Sequence, residues 1–352
     1  MIRIALRDLQ WRTRRIVIAV VGASLVLALA LVMSGLSAGF ENEAARTVSL
    51  ARGTAWVIDE GGSGPFLQPS PLPATVVANV VAQVGAEHAA PLLFGRQSVH
   101  RTNGTFFGEH EHVNLVGAVP DRLGSPQVSR GRALAGNGEA VVDVTLGAKL
   151  GQQIRLGTKS FEVVGIIRGA RLLAGVPNAY VSLRDAQAMA FGGKDLASSI
   201  VVDRPIEAPP GTRMIDNREA KTDGLRPVVN AEKTIAMVRS LLWLVAALIV
   251  GSVMYLGALE RTKDVAVLKG MGARSGTLTA SLAMQAALLG LVAAACAATL
   301  AVAIAPVFPL AVEIPRAAFL LLPVVAVAIG LVASLAAASR LISTQPALAF
   351  GG

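Results

Sequence analysis

Long apolar stretches without a charged residue dominate the pattern of the chain. Four such stretches contain no Asp, Glu, Lys, Arg or His: residues 16–40, 240–259, 275–312 and 317–339. A helix needs about 20 apolar residues to cross a hydrocarbon core of roughly 30 Å. Pro306 and Pro309 are expected to end the third helix near Ile304, whereas neighbouring helices can satisfy the carbonyl that Pro323 frees within the fourth. The pattern predicts an α-helical membrane protein with four transmembrane helices.

The first apolar stretch has one competing interpretation, a cleaved signal peptide. Basic residues precede it, and Leu36-Ser37-Ala38 resembles a cleavage site. The apolar core of a signal peptide has about 7 to 15 residues. Here the apolar run covers residues 16–33, which is longer, so the sequence favours a retained helix.

The polar region between the first and second apolar stretches reads as an α+β domain. Its pattern predicts a strand at 54–58, a helix at 74–84 after Pro73, a hairpin of 153–156 with 160–164 around Gly157-Thr158-Lys159, a strand at 179–183 and a helix at 184–189. A small, partly closed sheet fits this order. Residues 234–238 run on towards the second apolar stretch without a Gly or Pro, which predicts a junction without a flexible linker.

Composition agrees with a membrane protein. Charged residues make up 16% of the chain and hydrophobic residues 53%, against roughly 25% charged in soluble domains. The net charge of +9 is not gathered on a nucleic-acid-binding face: residues 1–15 carry five arginines against one aspartate, and residues 41–238 are almost neutral. No nucleic-acid partner is expected.

Basic residues in short loops set the orientation of the helices. The N-terminal segment is basic, and the loop 260–274 contains two arginines and two lysines. The short loop between the third and fourth helices contains only Arg316 as a base. Both termini and the loop 260–274 are therefore predicted to be cytoplasmic, which places the large insertion outside.

The predicted organisation then follows along the chain. It comprises a cytoplasmic interfacial amphipathic helix at 1–15, transmembrane helix 1 at 16–40, an extracytoplasmic α+β domain at 41–237, transmembrane helix 2 at 238–259, a cytoplasmic helix at 260–274, transmembrane helix 3 at 275–304, a short outer loop at 305–316, transmembrane helix 4 at 317–340 and a cytoplasmic tail at 341–352. The small residues 293–298 of the third helix would let another helix approach closely, with Cys296 as a small apolar filler.

Histidines raise a metal hypothesis. All four histidines of the chain fall within 25 residues: His88, His100, His110 and His112. On a strand, His110 and His112 would point to one face at ligand-like spacing. Cysteine partners and HExxH spacing are absent from the sequence. A solvated polar loop is the favoured interpretation, and whether these histidines bind anything stays open.

Catalytic motifs are absent from the sequence. Gly-x-x-x-x-Gly-Lys-Ser/Thr does not occur, and neither does a Gly-x-Ser-x-Gly elbow. We therefore expect no enzyme activity and no cofactor in this chain. No Asp, Glu, Lys, Arg or His lies within the four apolar stretches, which disfavours a secondary transporter with an ion or proton pathway.

The loop 260–274 is the most informative stretch. On a helix, Val265, Leu268 and Gly272 lie on one stripe with Arg261. Such a short amphipathic helix can rest on lipid or insert into a groove of a partner. Four bases against two acids are a weak charge for a lipid-bound helix, so a protein partner is preferred.

At this loop the sequence resembles the FtsX-like permeases of MacB-type (type VII) ABC transporters. The family pattern is roughly Glu-Arg-Arg-x-Glu-Ile-Gly-Ile-Leu-Arg-Ala-Leu-Gly-Ala. Identical residues are Glu260, Arg261, Leu268, Gly272 and Ala273, and similar ones are Asp264, Val265, Val267, Lys269 and Met271. Ala266 replaces the usual glycine, and the C-terminal tail lacks the family's final arginine. The 1 + 3 arrangement of helices around one large outer domain is also the topology of this family.

The resemblance implies a permease subunit in the bacterial plasma (inner) membrane. It implies a homodimer, or a heterodimer with a sister permease, bound to two copies of a cytoplasmic ABC ATPase that holds ATP and Mg. The ATPase-coupling residues would be Glu260, Arg261, Asp264, Val265, Leu268, Lys269, Met271 and Gly272. The membrane-interface residues would be Arg7, Trp11, Arg12, Arg14 and Arg15, facing membrane lipids.

ATP-driven closure would then move the outer domain, a mechanotransmission that serves export or extraction of a lipid, lipoprotein, peptide or drug. Two alternatives stay open. One is an FtsX-like regulator of a cell-wall hydrolase, which the outer domain of roughly 195 residues makes less favoured. The other is a membrane-anchored receptor without an ATPase. The substrate and the direction of transport are not readable from the sequence.

Overall fold

The computed structural model describes residues 13–67, 71–101, 105–107, 111–260, 275–308, 310 and 312–342. Its α-helices are α1 (Thr13–Leu50), α2 (Ala74–Val84), α3 (Leu183–Phe191), α4 (Asn217–Leu225), α5 (Val229–Glu260), α6 (Ser275–Ile304) and α7 (Arg316–Ile342). Its strands are β1 (Ala55–Asp59), β2 (Leu72–Pro73), β3 (Ala89–Arg101), β4 (His112–Ala118), β5 (Arg130–Gly131), β6 (Glu139–Asp143), β7 (Gln153–Leu156), β8 (Lys159–Ile167), β9 (Arg171–Leu172), β10 (Val176–Ser182), β11 (Leu196–Ala197), β12 (Ser199–Val202) and β13 (Thr212–Asp216).

The chain divides into two compact units. The helical unit comprises Met1–Gly39 and Ala231–Gly352, and the sheet unit comprises Phe40–Asn230. The chain passes from one unit to the other twice, first within α1 and then within α5. Both passages are helical, as the sequence predicts for the second, and α1 continues ten residues beyond Phe40.

Three described helical segments are long and apolar enough to cross a membrane by length and composition. They are Val17–Leu50, Asn217–Val253 and Ala283–Val307. The fourth predicted crossing is also a helix, α7, but its described apolar part, Arg316–Val332, is shorter than such a span. Three of the four predicted crossings thus meet this criterion within the described part of the chain.

Close contact between α6 and α7 organises the helical unit. A Cβ placed on Gly290 would lie 2.6 Å from the carbonyl oxygen of Ala326, and one on Gly330 would lie 2.6 Å from that of Ala286. Small residues let the backbones of membrane helices approach this closely. The closest approach thus lies at Gly290, just before the predicted stretch 293–298, of which Ala293, Ala294 and Ala297 are buried in the core of the helical unit. Cys296, however, is exposed on α6. The prediction that its small side chain fills a gap between packed helices is therefore wrong within a single copy of the chain.

The sheet unit is built around a closed ring of strands. In order around the ring, the members are β3, β4, β10, β6, β8 and β7, and β7 pairs again with β3. The long strand β3 closes it, because its middle pairs with β4 and its end with β7. The beginning of β3 pairs with β12, which continues the sheet through β1 to β13. This ring confirms the expected partly closed sheet.

Alternate residues of the ring strands point inwards and fill it, as the twofold periodicity of strands requires. The buried side chains of this core include Leu93, Val99, Val113, Leu115, Ala140, Val142, Ile154, Leu156, Phe161, Val163, Ala179 and Val181. Ala186 of α3 adds to the same core. The ring is therefore a packed body.

Several local predictions for this unit are confirmed. The helix at 74–84 and the strand at 153–156 have the predicted bounds, and β7 pairs with β8 as a hairpin. Lys159 is the exception within that hairpin, because it pairs with Leu156 in the ladder and its ammonium contacts the Asp185 carboxylate. Leu183 begins α3, so the predicted strand at 179–183 ends one residue earlier.

Candidate functional site

The residues predicted to couple to an ATPase fall mostly outside the described residues. Those outside are Arg261, Asp264, Val265, Leu268, Lys269, Met271 and Gly272, while Glu260 is the last residue of α5. Of the membrane-interface residues, Arg7, Trp11 and Arg12 also fall outside, and Arg14 and Arg15 belong to α1. The structure therefore leaves both sets as predictions.

The described part of the chain offers a different candidate, the point where α1 is anchored in the sheet unit. We call residues 40–50 of α1 the exit segment. Its buried face carries Ala44 and Val48, which pack in the same core as Trp56 and Leu172. Burial of such side chains holds the exit segment against the sheet.

Polar contacts add to this anchor, and they come from the hairpin of β9 and β10. The hydroxyl of Thr47 donates a hydrogen bond to the carbonyl of Arg171 (2.9 Å). The backbone N–H of Gly175 donates to Oε2 of Glu43 (2.9 Å). Glu43 and Thr47 are each only 3% exposed. A carboxylate buried this deeply needs donors or a cation close by.

Arg171 is a cation close to Glu43. Its Nε lies 4.0 Å from Oε1 of Glu43, within ion-pair distance but beyond hydrogen-bonding distance. Nε of Arg171 is buried and has no hydrogen-bond partner. The Glu43 carboxylate therefore meets a backbone donor at short range and a guanidinium at long range.

The turn that presents Gly175 is strained. We call residues 173–175 the clamp turn. Leu173 and Ala174 have φ values of 60° and 61°, and Gly175 has φ of 91°. Left-handed backbone costs about 1 to 2 kcal/mol for a residue with a side chain. Two such residues in succession persist only where the surrounding contacts fix them.

Buried amides connect the clamp turn to the ring. Asn114 of β4 donates from Nδ2 to the carbonyl of Val176 (3.1 Å) and to Oδ1 of Asn178 (3.0 Å). Tyr180 follows on the same strand as Asn178, and burial raises the pKa of its hydroxyl to about 12. Strands β4 and β10 run parallel here, with Asn178 opposite Asn114. The clamp turn thus leads directly into the ring strand β10, and Asn114 of the neighbouring ring strand β4 holds the start of β10.

The second passage between the units begins in a similar anchor at α4. Asp223 of α4 is 1% exposed and accepts hydrogen bonds from Ser63 Oγ and from the N–H of Phe66, both at 3.0 Å. Ala220 of α4 belongs to the same core as Ala44 of the exit segment. Both helical passages therefore start from one core of the sheet unit.

The histidines have other roles where the structure describes them. His88 lies 3.0 Å from a carboxylate oxygen of Asp203, and His100 packs on Phe106 with ring centroids 4.6 Å apart. His112 is the first residue of β4, and His110 lies outside the described residues. Within the described ranges, no group of three or more His, Cys, Asp or Glu side chains is placed to hold a metal ion.

Open cavities among the described residues include the following two. One, of about 720 Å³, lies beside α3 in the sheet unit and is bordered by Asn137, Ser182 and Gln187. Ser182 donates to Asn137, and Gln187 donates to Asp195, so these polar groups pair with each other. The other, of about 320 Å³, is an apolar groove along α1 in the helical unit, lined by aliphatic side chains and Phe308. Neither brings together residues of a recognisable catalytic arrangement.

Sequence reasoning missed the anchor. Glu43 and Gly175 are 132 positions apart, and no local periodicity connects them. One signal was available, because residues 41–50 contain no Gly or Pro and continue the preceding helix.

Comparisons with known proteins agree over the whole chain. The sequence profile of the FtsX-like permease C-terminal matches residues 236–346, and that of the MacB-like periplasmic core domain matches residues 16–213. An uncharacterised ABC transporter permease of Mycobacterium bovis is 41% identical over 353 residues, covering 99% of each chain. Another, of Mycobacterium tuberculosis, is 39% identical over 349 residues with the same coverage.

Among solved structures, the periplasmic region of MacB from Actinobacillus actinomycetemcomitans is similar to part of the chain. The match has 13% sequence identity and a TM-score of 0.36, and it covers 49% of this chain and 92% of that one.

Proposed function

Since the chain belongs to the FtsX-like permeases of ABC transporters that carry a MacB-like periplasmic core domain, we propose that it couples ATP hydrolysis by a separate cytoplasmic ATPase to movement of its sheet unit. The sheet unit is the extracytoplasmic domain in this proposal. The movement serves export or extraction of a lipid, lipoprotein, peptide or drug.

One observation carries the proposal. The chain passes between the two units twice, and both passages lie within unbroken helices, α1 and α5. A helix transmits displacement along its axis, because each turn is hydrogen-bonded to the next. Movement of the helical unit would therefore reach the sheet unit without a slack linker.

Two further features favour mechanical transmission of movement, and they argue against a transport pathway that runs through the helices. The four apolar stretches contain no Asp, Glu, Lys, Arg or His, of which a membrane-depth ion or proton relay usually needs at least one. The ring of the sheet unit is filled by its own side chains. A filled ring acts as a solid body that can be pushed, and it is not a conduit.

The ATPase contacts the loop 260–274 in this proposal. Leu268, with Val265 and Gly272 on the same stripe, inserts into a groove of the ATPase, and the flanking charges orient the helix. ATP and Mg are held by two ATPase copies, and two permease chains complete the assembly. Both termini face the cytoplasm, with Arg7, Trp11 and Arg12 at the lipid surface.

Co-purification tests the docking step. We expect the tagged full chain, extracted from its native membrane, to bring down an ATPase with measurable ATP hydrolysis. Leu268→Asp places a charge in the apolar stripe and is expected to reduce the co-purified ATPase at least tenfold, a loss of about 1.4 kcal/mol or more of binding free energy. Immunoblotting of the ATPase against the tag measures the ratio.

The matched control is Leu150→Asp, the same substitution at a side chain that is 44% exposed in the sheet unit. It is expected to leave the ATPase bound. Equal ATPase recovery from wild type and Leu268→Asp would contradict the docking site, and absence of any ATPase would favour a receptor.

A further inference from the structure

The cavity beside α3 lies where two neighbouring parallel strands of the sheet unit end. Ala118 of β4 and Ser182 of β10 are opposite each other in the ladder, and each is the last residue of its strand. Val119 and Pro120 follow β4 and line the cavity, and the start of α3 follows β10 and lines it as well. Its volume of about 720 Å³ is within the range of about 300 to 1,000 Å³ that is usual for small-ligand sites.

Hydrogen bonds within the sheet unit fix the walls of this cavity. The carboxylate of Glu139 accepts from the backbone N–H groups of Ala135 (2.8 Å) and Gly136 (3.3 Å), which holds the loop before β6 in place. The hydroxyl of Ser182 donates to Oδ1 of Asn137 (2.7 Å). The shape of the cavity therefore exists before any ligand arrives, as is usual for small-ligand sites.

Arg184 of α3 supplies a positive charge to the cavity. It is exposed, and it makes no ion pair or hydrogen bond within the part of the chain that the structure describes. The next residue, Asp185, pairs instead with Lys159 on a different face of α3, because consecutive residues of a helix do not face each other. A guanidinium without a protein partner is suited to bind a carboxylate or a phosphate.

The amide of Asn137 adds further donors to the same wall. Its Oδ1 accepts from Ser182, two residues before Arg184, so its Nδ2 group is the part of the amide that is left for a ligand. Asn137 is exposed and borders the cavity. An amide and a guanidinium together match a carboxylate, which can accept several hydrogen bonds at once.

A negative charge lies about one helical turn further along α3. Gln187 follows Arg184 by three residues, so both side chains lie on one face of the helix. Nε2 of Gln187 donates to Oδ1 of Asp195 (2.9 Å), which holds this exposed carboxylate at the border of the cavity. The other oxygen of Asp195, Oδ2, makes no hydrogen bond within the described ranges. It is an acceptor for an ammonium group.

Apolar side chains complete the lining. Val119, Pro120 and Leu183 are half-buried at the cavity and offer contact to an aliphatic group. The described lining contains no aromatic ring on which a nucleobase could stack. A cation, a carboxylate and an aliphatic surface within one cavity fit a small zwitterion better than a phosphorylated or purely apolar ligand.

We propose that this cavity binds a short peptide with free termini. The peptide carboxylate bonds to Arg184 and Asn137, its ammonium group bonds to Asp195, and an aliphatic side chain packs on Leu183. Cβ atoms one helical turn apart are about 5 to 6 Å from each other, and three extended residues span about 10 Å, which covers that turn and the reach of the charged side chains. The site goes beyond the proposed function, because peptide binding to the sheet unit requires no ATPase.

Isothermal titration calorimetry of the purified full chain in detergent tests the site, with trialanine as the probe. We expect saturable binding of trialanine, against empty micelles as the blank. Trialanine amide lacks the carboxylate, and N-acetyl-trialanine lacks the ammonium group. Each of these two probes is expected to bind at least tenfold more weakly than trialanine, because each loses a charge-assisted hydrogen bond.

Two variants show which residue meets which end of the peptide. Arg184→Gln is expected to weaken trialanine binding at least tenfold and to leave the affinity for trialanine amide unchanged, since that probe has no carboxylate to lose. Asp195→Asn keeps an acceptor for Gln187. It is expected to weaken trialanine binding at least tenfold and to leave the affinity for N-acetyl-trialanine unchanged. Both positions are exposed, and circular dichroism verifies that each variant is folded.

Arg155→Gln is the matched control. Arg155 is an exposed arginine of β7 that pairs with His100 of β3, at the end of the ring away from the cavity. This variant should bind trialanine as the wild type does.

Three results would overturn the peptide site. They are the absence of saturable trialanine binding up to about 10 mM, equal affinities for the three probes, and unchanged trialanine binding by Arg184→Gln. Since the titration contains neither ATPase nor nucleotide, these results leave the proposed function untouched, and co-purification of the ATPase tests that function separately.

Discussion

The helical unit and the sheet unit achieve close packing in different ways. In the helical unit, backbones approach each other at Gly290 and Gly330, and the core is rich in alanine. In the sheet unit, large side chains such as Phe161 and Leu115 fill a closed ring. In lipid there is no hydrophobic driving force between apolar helices, so their association depends on close van der Waals packing. In water the hydrophobic effect drives large apolar side chains into a core.

The buried polar side chains of the sheet unit are a second feature of this comparison. The sheet unit buries Asn114, Asn178 and Asp223, each at 1% exposure or less, and uses them near the two helical passages. A unit held by side-chain burial tolerates such groups because the remaining core supplies the stability. The polar anchors can therefore be specialised for holding helices.

The largest expected effect is in the ring of the sheet unit. Phe161→Ala removes a fully buried phenyl group and is expected to lower the free energy of unfolding of the sheet unit by about 3 to 5 kcal/mol. Pulse proteolysis of the purified full chain in increasing urea measures this loss. Phe106→Ala, at a side chain that is 42% exposed, is the control and should cost less than about 1 kcal/mol. Similar losses for both variants would contradict a packed ring.

A smaller loss of stability is expected in the helical unit when one methyl group is added to a glycine. Gly290→Ala places a Cβ 2.6 Å from a carbonyl oxygen of α7 and is expected to cost about 1 to 3 kcal/mol. Unfolding of the full chain in mixed detergent with increasing SDS measures it. Gly276→Ala has nothing within 4 Å of the added Cβ and should be neutral or stabilising. If both variants behave alike, α6 and α7 do not pack as described.

The smallest effect concerns a polar loop of the sheet unit and depends on pH. Hydrogen bonds from Arg132 and from the N–H groups of Ala135 and Gly136 lower the pKa of Glu139 from 4.5 to about 2. A carboxyl whose pKa is lowered on folding stabilises the fold above its unfolded pKa, and this contribution is lost as pH falls from about 4.5 towards 2.

Glu139→Gln should therefore lower the Tm of the sheet unit at pH 7 by about 2 °C and change it little at pH 2.5. Thermal scans of the full chain at the two pH values measure the difference. Glu87→Gln, at a side chain that is 71% exposed, serves as the comparison. An equal Tm decrease at both pH values would show that the ionised form of Glu139 contributes nothing.

Much of this architecture was predictable where the signal is local. The apolar stretches predict the membrane helices, and the hairpin of β7 and β8 follows from two β-prone runs around Gly157. Strand β3 was not predicted, because Pro91 and Gly95 interrupt its pattern. Its three pairing partners stabilise it despite those residues.

The candidate site was predictable only in part. The motif in loop 260–274 is contiguous and can be read directly, although its residues lie outside the described ranges. The anchor of α1 depends on a contact between Glu43 and Gly175 that only the folded sheet creates. Nothing in the sequence around Arg171 marks it as the partner of a carboxylate so far away in the chain.

The pairing of β1 with β13 has a consequence for biosynthesis. Ala55 lies opposite Asp216, so β1, the first strand of the sheet unit, can pair with β13 only after β13 has been synthesised. Contacts between such distant positions make folding slow, because a long loop must close before they form. A nascent chain truncated before residue 212 would lack this edge of the sheet altogether. We infer that the first apolar helix is inserted well before the domain behind it acquires its final shape.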